Sequence, residues 1–177
     1  MWVESEIGVG SRFFFTTVLG IATAVKATPV APLPEIESAK PLQILLVDDN
    51  LINQKVAKRM LESYGNHVSV AGNGLQALAA LERLEWKVDA IFMDVQMPEM
   101  DGIAATREIR RLESINGKRI PIFALTAHAQ KSDEEACLAA GMDAHLTKPM
   151  QADTLQRALR DVRQGNFGLA GQQLSGK

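Results

Sequence analysis

From Leu42 onward, short apolar runs alternate with stretches whose apolar residues recur every three or four positions, the pattern of strands and helices in turn. Five such units can be counted. The pattern predicts strands at Gln43–Val47, His67–Ala71, Ala90–Met93, Ile120–Leu125 and Ala144–Thr147. Three runs, Ile44-Leu45-Leu46-Val47, Ala90-Ile91-Phe92-Met93 and Ile122-Phe123-Ala124-Leu125, are apolar without alternation, as strands covered on both faces require. These belong in the middle of a sheet. His67-Val68-Ser69-Val70 alternates polar with apolar, and the fifth run is short and polar, so both suit edges. Repeated βα units with these middles and edges predict an α/β fold, a doubly wound parallel (βα)5 sheet with strand order 2-1-3-4-5.

The helices between the strands have recognisable boundaries. Asn50 and Asn73 are good caps, Ser132 with Glu135 makes a capping box, and Gly141 and Gly165 stand where helices should stop. Each helix carries an apolar stripe that reads as core packing: Ile52, Val56 and Met60 in the first; Leu75, Leu78 and Leu81 in the second; Ile103, Thr106 and Ile109 in the third; Leu155, Leu159 and Val162 in the last. The regular pattern covers residues 42–164. Before it, residues 21–40 thin into Ala, Thr and Val punctuated by Pro29, Pro32 and Pro34, a linker composition. After it, residues 165–177 are rich in Gly and Gln and read as a flexible tail.

Composition narrows the function. Nineteen Lys plus Arg against twenty-one Asp plus Glu give a formal charge of -2, so no broad basic field is present for nucleic acid. The single cysteine, Cys137, excludes an internal disulfide and a Cys-cluster metal site. The apolar stretch Phe13 to Val25 is short for a membrane span and is interrupted by Thr16, Thr17 and Gly20. Glu4 and Glu6 against Arg12 give the wrong charge for the start of a signal peptide. The segment therefore reads as cytoplasmic and without membrane contact.

In an open parallel α/β sheet, ligands bind at the carboxyl ends of the strands beside the point where strand order reverses. There the first strand ends in Asp48-Asp49, the third in Asp94, the fourth in Thr126 and the fifth in Lys148-Pro149. Each has a plain structural explanation when taken singly. Together, three carboxylates at adjacent strand ends would repel by about 4 kcal/mol per close pair at an effective dielectric of about 20, which calls for a cation. Magnesium suits an all-oxygen shell that carboxylates complete only in part, leaving room for a phosphoryl oxygen. Asp94 is then placed to attack phosphorus, Asp48 and Asp49 to hold the metal, and Lys148 and Thr126 to meet two phosphoryl oxygens.

The stretches Leu45-Leu46-Val47-Asp48-Asp49-Asn50, Met93-Asp94-Val95-Gln96-Met97-Pro98-Glu99-Met100-Asp101-Gly102, Ala124-Leu125-Thr126-Ala127 and Leu146-Thr147-Lys148-Pro149 closely resemble the response-regulator receiver family. The resemblance spans the whole domain, with every motif in order on its strand end. It implies a flavodoxin-like fold, phosphorylation of Asp94 by a histidine kinase's phosphohistidine, and Mg2+ held by Asp48, Asp49, Asp94 and the Gln96 backbone carbonyl. It also allows a cis Lys148–Pro149 bond, and it makes Gln96 and His128 flanking residues that tune hydrolysis. In the family, a switch is read out through the Thr126 position and an aromatic residue on the fifth strand. Here that second position holds His145, a departure from Tyr or Phe.

The segment from Trp2 to Thr16 reads as a glycine turn running into a strand, and it looks like the last glycine motif and closing strand of a sensor histidine kinase ATPase domain. Residues 1–20 are thus expected to be a remnant of that domain, and the chain a piece of a hybrid kinase without autokinase activity, whether or not the parent is membrane-anchored. The rival haloacid dehalogenase chemistry needs a second aspartate two residues after the nucleophile, where Gln96 stands. A flavin module would have its phosphate repelled by Asp48 and Asp49. With no DNA-binding output following, the expected partner is a histidine phosphotransfer domain, docking on the first helix and the loop after the fifth strand, at Ile52 and Pro149.

Overall fold

The computed structural model describes residues 2–8, 10–16, 40–117, 119–127 and 131–166, and the chain divides into two compact units, Met1–Glu37 and Ser38–Lys177. The expected linker, apart from Lys40, the tail beyond Asn166, and His128 lie outside the described residues. In the first unit, β1 (Trp2–Glu6) and β2 (Gly10–Phe14) form an antiparallel hairpin. Trp2 and Phe14 stack with ring centroids 5.2 Å apart, and the Ser5 and Ser11 hydroxyls lie 2.8 Å apart on the other pair of positions.

The second unit runs β3 (Gln43–Val47), α1 (Leu51–Ser63), β4 (His67–Ala71), α2 (Gly74–Arg83), β5 (Ala90–Asp94), α3 (Gly102–Asn116), β6 (Ile122–Thr126), α4 (Lys131–Ala140), β7 (Ala144–Thr147) and α5 (Ala152–Gln164). All five strands are parallel and lie in the order β4-β3-β5-β6-β7, the expected 2-1-3-4-5. The unbroken apolar runs are explained by the two faces: Ile44 and Leu46 turn toward α1 and α5, while Leu45 and Val47 turn toward α2, α3 and α4, and all four are buried. Phe92 and Phe123 stack at 5.1 Å on the α1/α5 face.

Several boundaries moved. β6 starts at Ile122, not Ile120, because Pro121 has no N–H to give the ladder, although its carbonyl accepts from Ile91 at 2.9 Å. β5 and β6 each run one residue further, into Asp94 and Thr126. Asn50 and Asn73 cap α1 and α2 as expected, and Gly165 ends α5 in the left-handed conformation. The Ser132 cap is corrected: α4 already includes Lys131, so Ser132 lies inside its first turn, and the Ser132 side chain is outside the described residues.

The stripe on α1 also needs correction. Ile52 and Val56 are 72% and 59% exposed, and the helix packs through Ala57 and Leu61, with Met60 only partly buried. On α2, Leu75 faces out and Ala77, Ala80 and Leu81 are buried. In both helices alanine lets the backbone approach the sheet closely, so the packed line is shifted from the one the largest apolar residues mark. The stripe on α5, Leu155, Leu159 and Val162, is buried as expected, as are Thr106 and Ile109 on α3.

Candidate active site

The carboxyl ends of β3, β5, β6 and β7 form one rim, and the side chains expected there converge on it. Carboxylate oxygens of Asp48, Asp49 and Asp94 lie within 4.8 Å of one another, with Asp48 and Asp94 buried and Asp49 exposed. Lys148 Nζ reaches across from the end of β7 to Asp94 Oδ2 at 2.6 Å and Asp48 Oδ2 at 2.7 Å. One ammonium thus faces three carboxylates, leaving excess negative charge that suits a hard cation with oxygen ligands.

Burial pushes the Asp94 carboxyl above the ordinary aspartate range; Asp48 adds to this, while Lys148 and the Gln96 N–H pull against it without cancelling it. Burial alone would lower the Lys148 ammonium, but its hydrogen bonds to Asp48 and Asp94 overcome that and hold it above the usual lysine value. Asp94 Oδ1 accepts from the Gln96 backbone N–H at 3.3 Å. Thr126 Oγ1 is buried and has no hydrogen-bond partner among the described residues, so its hydroxyl can take an incoming acceptor. A cavity of about 300 Å³ opens over these groups, lined among others by Asp49, Asp94, Gln96, Thr126 and Lys148.

The turn after Asp94 is held tightly. A Cβ on Gly102 would lie 2.1 Å from the Asp94 carbonyl oxygen, so no side chain fits there. Gly102 N–H donates to Val95 O at 3.0 Å, and Asp101 caps α3 through Ala104 N–H at 2.7 Å, a cap the sequence reading did not single out. Glu99 takes a positive φ of 65° and accepts from Asn73 Nδ2 at 3.1 Å, tying the turn to the start of α2.

Two further side chains were missed. Asn53 Nδ2 donates to Asp48 Oδ1 at 3.3 Å and Gln54 Nε2 to the Asp48 carbonyl at 2.5 Å, while Asn50 N–H holds the same Oδ1 at 2.9 Å. Their signal was present as polar residues in the first turn of α1, just past the acidic pair. His145 does not stand at the carboxylate cluster. It is largely buried on β7 with Nδ1 3.5 Å from Glu134 Oε1 of α4. The Lys148–Pro149 bond is cis.

Residues 44–160 match the family model of the response regulator receiver domain. The chain belongs to the response-regulator receiver family. Its receiver unit is similar to the receiver domain of sensor histidine kinase PA1611 from Pseudomonas aeruginosa, at 47% identity and TM-score 0.63 over 70% of this chain and 98% of that one; that structure has magnesium coordinated in its active site cleft. It is also similar to a Saccharomyces cerevisiae structure of the histidine phosphotransfer protein Ypd1 with the receiver domain of Ssk1, at 30% identity and TM-score 0.65 over 73% and 94%. Among curated proteins, sensor histidine kinase AruS of Pseudomonas aeruginosa is 38% identical over 90% of this chain and 15% of its own length. The chain spans about one sixth of the length of the first curated relatives it matches. The second unit is a receiver domain of two-component phosphorelay signalling, and none of its described helices is long and apolar enough to cross a membrane.

Proposed function

We propose that the receiver accepts a phosphoryl group from a phosphohistidine onto Asp94. The observation that carries this is the Lys148 bridge to Asp94 and Asp48 beneath an open cavity, with the Thr126 hydroxyl beside it unpartnered among the described residues. An Asp94 carboxylate oxygen forms the new O–P bond as the P–N bond breaks, and the imidazole leaves with the electron pair. Lys148 exchanges a carboxylate oxygen for a phosphoryl oxygen, and Thr126 donates its hydroxyl to another.

The all-oxygen donor set and its surplus charge fit Mg2+, which Asp48, Asp49, Asp94 and the Gln96 backbone carbonyl would hold. When bound, it would neutralise charge on the transferring group. Gln96 stands at the cavity wall two residues after Asp94, so that position supplies an amide and no general base, which favours a lasting acyl phosphate over rapid turnover. His145, paired with Glu134, is the proposed companion of Thr126 in switching.

A histidine phosphotransfer domain is the proposed partner. Support comes from Leu51, Ile52 and Val56, exposed together on α1, beside a groove lined by Met60, Pro149 and Met150. The proposed layout is a kinase ATPase remnant at 1–20, a linker at 21–40, the receiver at 42–164 and a tail at 165–177, within a cytoplasmic part of a hybrid histidine kinase. AruS matches 90% of the chain, more than residues 44–160 supply, which supports kinase-derived sequence outside the receiver.

The test is intact-protein mass after incubation with acetyl phosphate, with and without Mg2+. A Mg2+-dependent gain of one phosphoryl group that disappears in Asp94→Asn supports the reading. No gain in the wild type overturns it.

A further inference from the structure

Asn53 stands on the wall between two cavities. The site cavity of about 300 Å³ and the apolar groove of about 200 Å³ share Asn53, Leu125 and Lys148 in their linings. Asn53 is tied at both ends: its backbone N–H donates to the Asn50 cap at 3.3 Å, and its amide nitrogen donates to Asp48 Oδ1 at 3.3 Å. Only an amide nitrogen can face a carboxylate oxygen favourably, which sets the orientation of the side chain. Asp48 is consequently held on two sides, with Oδ1 taken by α1 through Asn50 N–H and Asn53, and Oδ2 taken by Lys148.

We propose that Asn53 is a positioning residue for divalent-cation binding, fixing the plane of the Asp48 carboxylate from α1. This rests on the receiver reading given above. A cation arriving among the three carboxylates repels the Lys148 ammonium and loosens its hold on Asp48 Oδ2. The donors on Oδ1 are not charged and keep their places. Asn53 therefore matters most in the cation-loaded state and little to the fold, because its side chain is exposed and makes no part of either core cluster. It also lies between Ile52 and Val56, so the helix face offered to a partner and the donor that orients Asp48 are parts of one rigid turn.

The test uses the full 177-residue chain as wild type, Asn53→Ala, and Lys55→Ala as a control on the same helix. Mg2+ affinity is measured by titration calorimetry, melting temperature in EDTA, and Mg2+ half-saturation of phosphorylation by acetyl phosphate. Asn53→Ala should raise the Mg2+ dissociation constant and the half-saturation point about tenfold, the low end for a hydrogen bond to a charged group. Its rate at saturating Mg2+ should stay within about twofold of wild type. Its melting temperature in EDTA should be equal or slightly higher, since alanine is the better helix former. A structural role would instead lower the melting temperature. The proposal is overturned if the dissociation constant is unchanged, if it rises only together with a lowered melting temperature, or if Lys55→Ala does the same. A wild type that binds no Mg2+ and gains no phosphoryl group brings down the receiver reading itself; a normal wild type with an unaltered Asn53→Ala brings down only this one.

Discussion

Lys148 Nζ lies 2.6 Å from Asp94 Oδ2, and it holds Asp48 at nearly the same distance, so a single ammonium is the neutralising charge for two buried carboxylates. Removing it strands both. Lys148→Ala should cost on the order of 2 kcal/mol in EDTA, less than a fully buried pair because the lysine is 22% exposed. Mg2+ should restore more stability to this variant than to wild type, because the ion then supplies the missing positive charge. Thermal melts with and without Mg2+ read both effects, and equal Mg2+ gains in the two proteins would contradict the arrangement.

The raised Asp94 pKa has a definite sign. Between the unfolded value of about 3.9 and the higher folded value, the native state binds more protons than the unfolded one, so ionising Asp94 costs stability as pH rises through that window. Metal-free Asp94→Asn should therefore melt above wild type at neutral pH. The difference should narrow as pH falls from about 8 to about 4, where the wild-type carboxyl is protonated too. Thermal melts of both proteins in EDTA across that range read it, and a gap that does not change with pH would be inconsistent with the raised pKa.

Gly102→Ala brings a methyl carbon to 2.1 Å from the Asp94 carbonyl, and the atom it meets is backbone and cannot step aside. The expected cost is about 2–3 kcal/mol, together with loss of phosphorylation as the turn carrying Asp94 is pushed out of register. Urea unfolding and intact mass measure the two independently.

Thr126→Val removes a buried hydroxyl that has no partner among the described residues. Stability should be unchanged or up to about 1 kcal/mol higher, since no hydrogen bond among the described residues is lost. Any stabilisation that phosphorylation confers on wild type should shrink in the variant. Melting curves with and without acetyl phosphate and Mg2+ provide the comparison.

Ile52 and Leu61 lie on the same helix with opposite surroundings, one 72% exposed and one fully buried. Ile52→Ala should change stability by less than about 0.5 kcal/mol, whereas Leu61→Ala should cost about 2–5 kcal/mol. Ile52→Ala should weaken binding to a histidine phosphotransfer domain, measured by fluorescence titration; unchanged affinity would move the docking face away from α1.

Most of the fold was legible in the sequence because central strands of a doubly wound sheet leave an unambiguous apolar signature. Strand ends in such a sheet also fall on one rim, so Asp48, Asp49, Asp94, Thr126 and Lys148 could be grouped before any coordinates existed. The α1 stripe misled because Ile52 and Val56 are apolar and helically spaced, and spacing does not say which side of a helix meets the sheet. Ala57 and Leu61 meet it, a choice made by how closely the backbone can approach.

The sequence by itself thus determined the strands, their order and the set of charged residues on the rim, since these follow from local periodicity and connection rules. Only the tertiary structure decided which atoms meet. It put Lys148 between Asp48 and Asp94, left the Thr126 hydroxyl without a partner among the described residues, brought Asn53 and Gln54 back onto Asp48, and turned His145 toward Glu134. The Lys148 and His145 contacts join residues from different βα units, and their distances are set by the packing of helices on the sheet, which no local pattern encodes.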